Sequence, residues 1–142
     1  MAKTSLLLDT NIIIVDHIRR DVDLPAGSLI SIVTVGELES LALKADWSYQ
    51  KLNALYTLLR TILDLDTDLA KTYATVDAYS EGTLKSNPLP AGMTARNMGK
   101  NDLWIAATAL HYDMSLRTAD HDFDHLLSLG LKLNVWKDDT NQ

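Results

Sequence analysis

The chain has 142 residues and no cysteine, a length that suits one ordinary domain and a composition that excludes disulfide bonds, thiolate zinc sites and cysteine nucleophiles. Hydrophobic residues make up 46% and charged residues 23% of the sequence, which is typical of a globular protein and excludes a disordered chain. The formal net charge of −6 argues against nucleic-acid binding unless the acids are concentrated at a metal site.

Two short apolar runs in the first part of the chain predict strands that are each followed by a helix. The first run is Ser5–Leu8, which ends at Asp9, and the second is Leu29–Val33. Helical patterns begin near Asn11 and near Val35. This alternation of strands and helices predicts an α/β fold with a parallel sheet.

Two amphipathic helices are predicted in the middle of the chain. Across Asp46–Leu63 the apolar residues recur mostly at spacings of three and four, and we favour a core-facing side of the helix over a partner-binding side. A second helix is predicted over Asp68–Leu84. The next segment, Lys85–Lys100, contains Pro88 and Pro90 and has no regular pattern, which is typical of a functional or mobile connection.

The last third of the chain predicts a helix and two further strands. Asn101–Tyr112 is apolar and rich in alanine, which predicts a helix in the core. Met114–Thr118 and Leu131–Trp136 predict short strands. We expect a soluble, untargeted protein that works in the cytoplasm, because polar residues interrupt the N-terminal apolar run and no apolar stretch is long enough to span a membrane.

Four acidic residues stand where predicted strands end or predicted helices begin. Asp9 follows the first strand directly, and Asp120 follows the third strand by two residues. Glu37 lies at the junction after the second strand, and Asp102 lies at the start of a helix. In a parallel sheet these positions share the carboxyl edge, where α/β folds bind ligands. A divalent cation such as Mg²⁺ or Mn²⁺ would offset the repulsion among four carboxylates and activate water for phosphodiester hydrolysis.

Each acid also has an ordinary structural interpretation. Thr34 and Glu37 fit a capping box, in which the glutamate returns to the threonine backbone amide. Asp102 would complement the dipole of its helix, and Asp120 would be a turn residue. Asp9 is harder to explain in this way, because an acid between two apolar runs needs a partner. The functional interpretation therefore depends on the four acids together.

Four segments resemble the motifs of the PIN domain family, and especially of the VapC-type toxins of bacterial VapBC toxin–antitoxin pairs. They occur in the family's order: Leu8–Asn11, Thr34–Leu38, Gly99–Ala107 and Thr118–Phe123. The resemblance implies one PIN domain over residues 1–142, with three α/β/α layers around a mainly parallel sheet. It also implies an Mg²⁺- or Mn²⁺-dependent endoribonuclease toxin whose partners are RNA, a cognate antitoxin and a second copy in a homodimer.

The resemblance assigns residue roles as well. Metal binding and catalysis are assigned to four acids: Asp9, Glu37, Asp102 and Asp120. Asn11 and Thr118 would support them through hydrogen bonds. Asp122 and Asp124 stand close to Asp120 in the sequence and would assist it or replace it.

Other polar residues near the acids are weaker candidates. The basic residues nearest in sequence are candidates for substrate binding, although any one of them more often belongs to ordinary solvated surface: Arg96, Lys100 and Arg117. His121 and His125 are four residues apart, a spacing that can place two metal ligands on one helix face. We expect these histidines instead to be surface groups or groups that support the acids.

Two other functions fit the same residues. One is a PIN-fold binding module that holds a metal or a basic partner without catalysis. The other is an antitoxin-independent nuclease in RNA or DNA processing. The presence of all four acids favours an enzyme, and a neighbouring reading frame for a small DNA-binding antitoxin would favour the toxin.

Overall fold

A computed structural model describes residues 5–20, 24–25, 27–58 and 61–135, with the backbone alone described at 16, 17, 58 and 135. Within these residues a five-stranded parallel sheet has the order β3-β2-β1-β4-β5. Its strands are β1 (Leu6–Leu8), β2 (Ser28–Ser31), β3 (Thr61–Leu63), β4 (Ser115–Thr118) and β5 (Lys132–Val135). In the central strand, Leu6 is in register with Ser28 on one side and Ser115 on the other, so the predicted parallel sheet is confirmed.

Helices cover both faces of the sheet. They are α1 (Thr10–Ile12), which continues directly as a π-helix (Ile13–Arg19), α2 (Ile32–Lys44), α3 (Tyr49–Leu58), α4 (Thr67–Ser80), α5 (Lys100–His111) and a 3₁₀ helix (His121–Leu129). Leu7 lies in the core with α4, α5 and the 3₁₀ helix, whereas Leu8 lies in the core with the π-helix, α2 and α3. Neighbouring residues of a strand face opposite sides, so β1 contributes to both cores. The predicted α/β/α layering is confirmed.

Two predicted element boundaries are wrong. The helix predicted to reach Leu63 gives way to strand β3, because Thr61–Leu63 pairs with β2 along the sheet edge. The second strand ends at Ser31, two residues before the predicted end. The Ser31 side chain accepts a hydrogen bond from the Val33 amide at 3.1 Å and so caps α2.

The remaining predicted elements are close to those observed. Helix α4 ends at Ser80, where the prediction extended to Leu84, and Gly82 then adopts a φ of +75° that favours glycine. The last strand is confirmed as far as Val135, while Trp136 lies outside the described residues. No helix in the described ranges is long and apolar enough to cross a membrane.

Candidate active site

Asp9 is a buried acid at the carboxyl end of the central strand. It directly follows β1 and precedes α1, and the residue is only 3% exposed. The Thr118 hydroxyl at the end of β4 donates to Asp9 Oδ2 at 2.8 Å. Burial is the main reason that the Asp9 pKa is raised; the charges of Asp120 and Glu37 add to the rise, and the Thr118 hydrogen bond opposes it.

Glu37 is held by a buried threonine from the neighbouring segment. The Thr10 hydroxyl donates to Glu37 Oε1 at 2.7 Å. Thr10 Oγ1 also lies 3.0 Å from Thr34 Oγ1, and because the Thr10 proton is used by Glu37, Thr34 is the donor in that contact. The capping-box interpretation is therefore wrong: α2 begins at Ile32, and Thr34 is buried inside the helix rather than capping it.

Asp120 is tied to the same threonine that holds Asp9. Its backbone amide donates to Thr118 Oγ1 at 3.0 Å, so Thr118 bridges the segments that carry the two acids. Asp120 Oδ1 accepts from the Asp122 amide at 2.9 Å and caps the 3₁₀ helix. Asp120 therefore has the local turn role that its sequence suggested, and it also lies beside Asp9.

Asp102 feels the charges of all the other predicted acids. It lies in the first turn of α5, and its pKa is raised from 3.8 to about 6. Burial is the largest cause, followed in order by the charges of Asp9, Asp120, Glu37 and Asp122. The ends of β1 and β4, the second turn of α2 and the first turn of α5 thus bring these acids to one edge of the sheet. We call Asp9, Glu37, Asp102 and Asp120 the acid cluster.

The acid cluster suits a hard divalent cation by its donor atoms. Carboxylate oxygens are the ligands that Mg²⁺ and Mn²⁺ prefer. Burial, and then the charges of neighbouring acids, raise the pKa values of Asp9 and Asp102, so a cation would offset the cost of ionising both. Among the residues that the structure describes, however, no group of three or more acids or histidines is already arranged closely enough to hold an ion. The fit is therefore one of charge and donor chemistry.

The predicted supporting residues are only partly brought to this edge. Thr118 contacts Asp9 as expected, whereas Asn11 is exposed and hydrogen-bonds none of the acids in the described part of the chain. Asp122 is near enough to raise the pKa of Asp102, while Asp124 instead contacts His121 at 3.0 Å. Asp122 is thus better placed than Asp124 to assist Asp120.

Arg96 is the predicted basic residue that the structure places beside the acids. It lines a cavity of about 180 Å³ together with Asp102 and Asp122. Lys100 is exposed at the start of α5. Arg117 lies on the opposite face of β4 from Thr118 and donates to Asn134 on β5, so it is not directed at the acid cluster.

The two histidines do not act as a pair. His121 is exposed, whereas His125 is buried and lies 2.8 Å from the hydroxyl of Ser80. Both are on a 3₁₀ helix with about three residues per turn, so a spacing of four separates their faces. The prediction of a surface position is wrong for His125, while the alternative, a group that supports the acids, stays a prediction. Burial, and then Arg96, lower its pKa.

Sequence reasoning did not identify three buried hydroxyl residues that hold the site: Thr10, Thr34 and Ser80. Thr10 follows Asp9 directly, and Thr34 lies one helical turn before Glu37, so their positions beside acids were a usable signal. Ser80 carries no such signal, because its partners are distant in the sequence.

Comparisons with known proteins find one matching family and several similar structures. The family model of the PIN domain matches residues 6–127. A comparison with curated protein sequences gives no match.

Three solved structures illustrate the similarity. VapBC2 from Rickettsia felis, bound to a DNA fragment from their promoter, is 21% identical with a TM-score of 0.65, covering 93% of this chain and 98% of that chain. VapBC-1 from nontypeable Haemophilus influenzae is 24% identical with a TM-score of 0.63, covering 94% and 98%. VapBC-5 from Mycobacterium tuberculosis, a member of the VapBC family of toxin-antitoxin systems, is 21% identical with a TM-score of 0.62, covering 96% and 100%. At these identities the similarity is one of fold.

Proposed function

The chain belongs to the PIN domain family, and on this premise we propose that it is a metal-dependent endoribonuclease, the toxin of a type II toxin–antitoxin pair. PIN domains are generally nucleases that depend on divalent metal ions. The metal would be Mg²⁺ or Mn²⁺ and the substrate RNA. The proposal places the chemistry at the carboxyl edge of the sheet, where Asp9 ends the central strand.

The observation that supports this function is the raised pKa of Asp102, about 6. An isolated carboxyl at the start of a helix would favour its charged form, because the helix dipole stabilises negative charge there. Here burial and the charges of three other predicted ligands overcome that preference. Neighbouring negative charges only destabilise an acid that has a purely structural role, whereas several acids close together are what a cation site requires.

The residues of the acid cluster would hold the cation: Asp9, Glu37, Asp102 and Asp120. When bound, a divalent ion supplies positive charge to a phosphate and acidifies a water molecule. Thr118 holds Asp9 through Oδ2, and Thr10 holds Glu37 through Oε1, so two carboxylates are oriented by buried hydroxyls before substrate binds. Arg96 would bind a neighbouring phosphate from the cavity that it shares with Asp102.

Sequencing of RNA ends in induced cells tests this function. Expression of the wild-type protein should create new internal RNA ends, and an Asp9→Asn protein at equal abundance should create none. Asp46→Asn is the matched control, because Asp46 is exposed in the turn after α2. New DNA ends without new RNA ends would favour the DNA-processing alternative. No ends of either kind would favour a binding module.

We also propose a cognate antitoxin as the partner of the toxin. The solved structures of similar fold include a member of a toxin-antitoxin family. A cleft of about 600 Å³ lies between α2 and α5, and both apolar and polar residues line it, including Ile32, Trp104 and Glu37. It therefore offers a partner apolar contacts next to an acid of the cluster. An Arg or Lys of the antitoxin would enter the acid cluster from this cleft and pair with its carboxylates.

Coexpression of the antitoxin should suppress toxicity, and replacing its inserted basic residue should restore some nuclease activity while the complex still forms. An inhibited complex whose acid cluster is metal-loaded and untouched by the partner would contradict this mechanism. The resemblance to VapC-type toxins further supports a homodimer that works in the cytoplasm. Light scattering of the purified protein would test the homodimer by measuring its mass in solution.

A further inference from the structure

A buried serine holds the segment between α4 and α5 at Arg96. Ser80 is the last residue of α4 and is 0% exposed. Its hydroxyl donates to the backbone carbonyl of Arg96 at 2.8 Å, and the Arg96 amide donates to the Ser80 carbonyl at 2.7 Å. Both polar groups of the Arg96 backbone are therefore bound to one residue, which fixes where the Arg96 side chain begins.

His125 joins the 3₁₀ helix to the same anchor. Its Nε2 atom lies 2.8 Å from Ser80 Oγ, and the residue is 4% exposed. The serine hydroxyl has a single proton, and it donates this proton in its hydrogen bond to the Arg96 carbonyl. Nε2 of His125 must therefore be the donor in its contact with Ser80. Ser80 thus both donates and accepts in a buried network that connects α4, the Arg96 segment and the 3₁₀ helix.

The side chain of Arg96 extends from this anchor to the acids. One guanidinium nitrogen, Nη1, lies 3.9 Å from Asp122 Oδ1, and the residue lines the cavity that contains Asp102. The side chains of Arg96 and Asp122 are 45% and 71% exposed, so their ion pair is weak. A guanidinium in a weak, exposed pair can exchange the carboxylate for a phosphate, which it binds with two parallel hydrogen bonds.

We propose that Ser80 and His125 are positioning residues that hold Arg96 where it binds a substrate phosphate beside the acid cluster. The inference rests on the proposed nuclease function. The acid cluster repels phosphate, so a cation at a fixed place next to it determines where the backbone of the substrate lies. Because the Arg96 backbone is already fixed, little backbone entropy is lost when the side chain binds phosphate.

Equilibrium binding of a short fluorescein-labelled single-stranded RNA tests this proposal. The protein carries Asp9→Asn to prevent cleavage, and anisotropy is measured in Mg²⁺ over a series of NaCl concentrations. Arg96→Ala should raise Kd about tenfold, which is the loss expected for one strong charged contact. It should also reduce the slope of log Kd against log salt by about 0.7, the value for one phosphate contact on a single strand.

Ser80→Ala should reproduce both effects, and it should add nothing further when Arg96 is already alanine. Ser80→Thr keeps the hydroxyl and should retain most of the binding. Thr108→Ala is the matched control: Thr108 is equally buried, but its hydroxyl donates at 2.7 Å to Trp104 within its own helix, so RNA binding and the salt slope should not change.

Two results would overturn the proposal. One is wild-type affinity and salt dependence in a Ser80→Ala protein that melts normally. The other is an equal loss from Ser80→Ala in the wild-type and Arg96→Ala backgrounds, which indicates a structural role without coupling. If Ser80→Ala does not fold, His125→Gln and His125→Leu replace it, because glutamine can still donate to Ser80 and leucine cannot. Equal RNA binding by those two variants would overturn the proposal.

The same experiment separates this proposal from the proposed function. If the wild-type protein cleaves no RNA but Ser80→Ala and Arg96→Ala change binding as described, the nuclease fails and the positioning role stands. If the wild-type protein cleaves RNA and Ser80→Ala leaves its binding and salt slope unchanged, the positioning role fails and the nuclease stands.

Discussion

Replacing Asp102 by asparagine tests the electrostatics of the acid cluster in the metal-free protein. Asparagine keeps the shape of the side chain and removes its charge. The Asp102 pKa is raised from 3.8 to about 6, so the folded protein binds this proton more tightly than the unfolded chain does. Ionisation of Asp102 therefore destabilises the fold, and Asp102→Asn should raise the free energy of unfolding at neutral pH.

The sign of this effect fixes its pH dependence. Well below pH 3.8, Asp102 is protonated in both the folded and the unfolded protein, so the substitution changes little. As the pH rises from about 4 to about 6, the unfolded chain gives up the proton while the folded protein still holds it, so the wild type loses stability relative to the variant. The advantage of Asp102→Asn should appear between about pH 4 and 6 and stay constant above that range.

The magnitude follows from the same pKa. A rise from 3.8 to about 6 sets an upper bound of ~3 kcal/mol on the destabilisation by the charged form. Asp102 is only half-buried, and solvent screening reduces the contribution of a partly exposed charge. We therefore expect the variant to be more stable by about 1 to 2 kcal/mol above pH 7.

Urea unfolding in EDTA at several pH values measures this difference. Asp46→Asn is the matched control, because Asp46 is exposed and has a φ of 53°, a conformation that asparagine also adopts readily. The control should leave the pH dependence of stability unchanged. A destabilised Asp102→Asn protein at neutral pH, or a gain that is the same at every pH, would refute the electrostatic reasoning.

Three further predictions concern the groups that hold and neutralise the acids. Thr118→Val should lower the free energy of unfolding by ~1–3 kcal/mol, because it removes a hydrogen-bond donor from the buried Asp9 carboxylate. Thr118→Ser keeps the donor and should not lower it. Equal urea-unfolding midpoints for the two variants would contradict this role. Mn²⁺ affinity, measured by calorimetry, should fall about tenfold for each pH unit below about 6, because Asp102 must lose a proton before it can bind the metal. An affinity that does not depend on pH would count against ligation by Asp102. Thr10→Val should weaken Mn²⁺ binding, because Glu37 loses the hydrogen bond that orients its carboxylate. Thr10→Ser keeps the hydroxyl and should bind Mn²⁺ as the wild type does. Wild-type affinity in Thr10→Val would exclude this orienting role.

Much of the fold follows from local patterns in the sequence. The apolar run before Asp9 and the alanine-rich helix α5 are predicted well, because each is buried and each has one dominant periodicity. Strand β3 is not predictable in this way. Its three residues continue the apolar spacing of the preceding helix, and only pairing with β2, a partner distant in the sequence, makes Thr61–Leu63 a strand.

The candidate site is predictable in its acids and less so in its hydrogen bonds. The acids stand at the ends of strands and the starts of helices, so a parallel sheet brings them to one edge. The hydroxyls of Thr10 and Ser80 act through contacts that span 27 and 16 residues, to Glu37 and to Arg96. Such contacts depend on how the helices pack, which the sequence pattern of each helix does not specify.

Cleavage of RNA by the purified protein tests the central claim most directly. Labelled single-stranded RNA and DNA of the same sequence are incubated with the wild type, with Asp9→Asn and with Asp46→Asn, in Mg²⁺, in Mn²⁺ and in excess EDTA. The account predicts internal cleavage of RNA by the wild type and Asp46→Asn in either metal, and none by Asp9→Asn or in EDTA. Undiminished RNA cleavage in EDTA, or by Asp9→Asn, would contradict it.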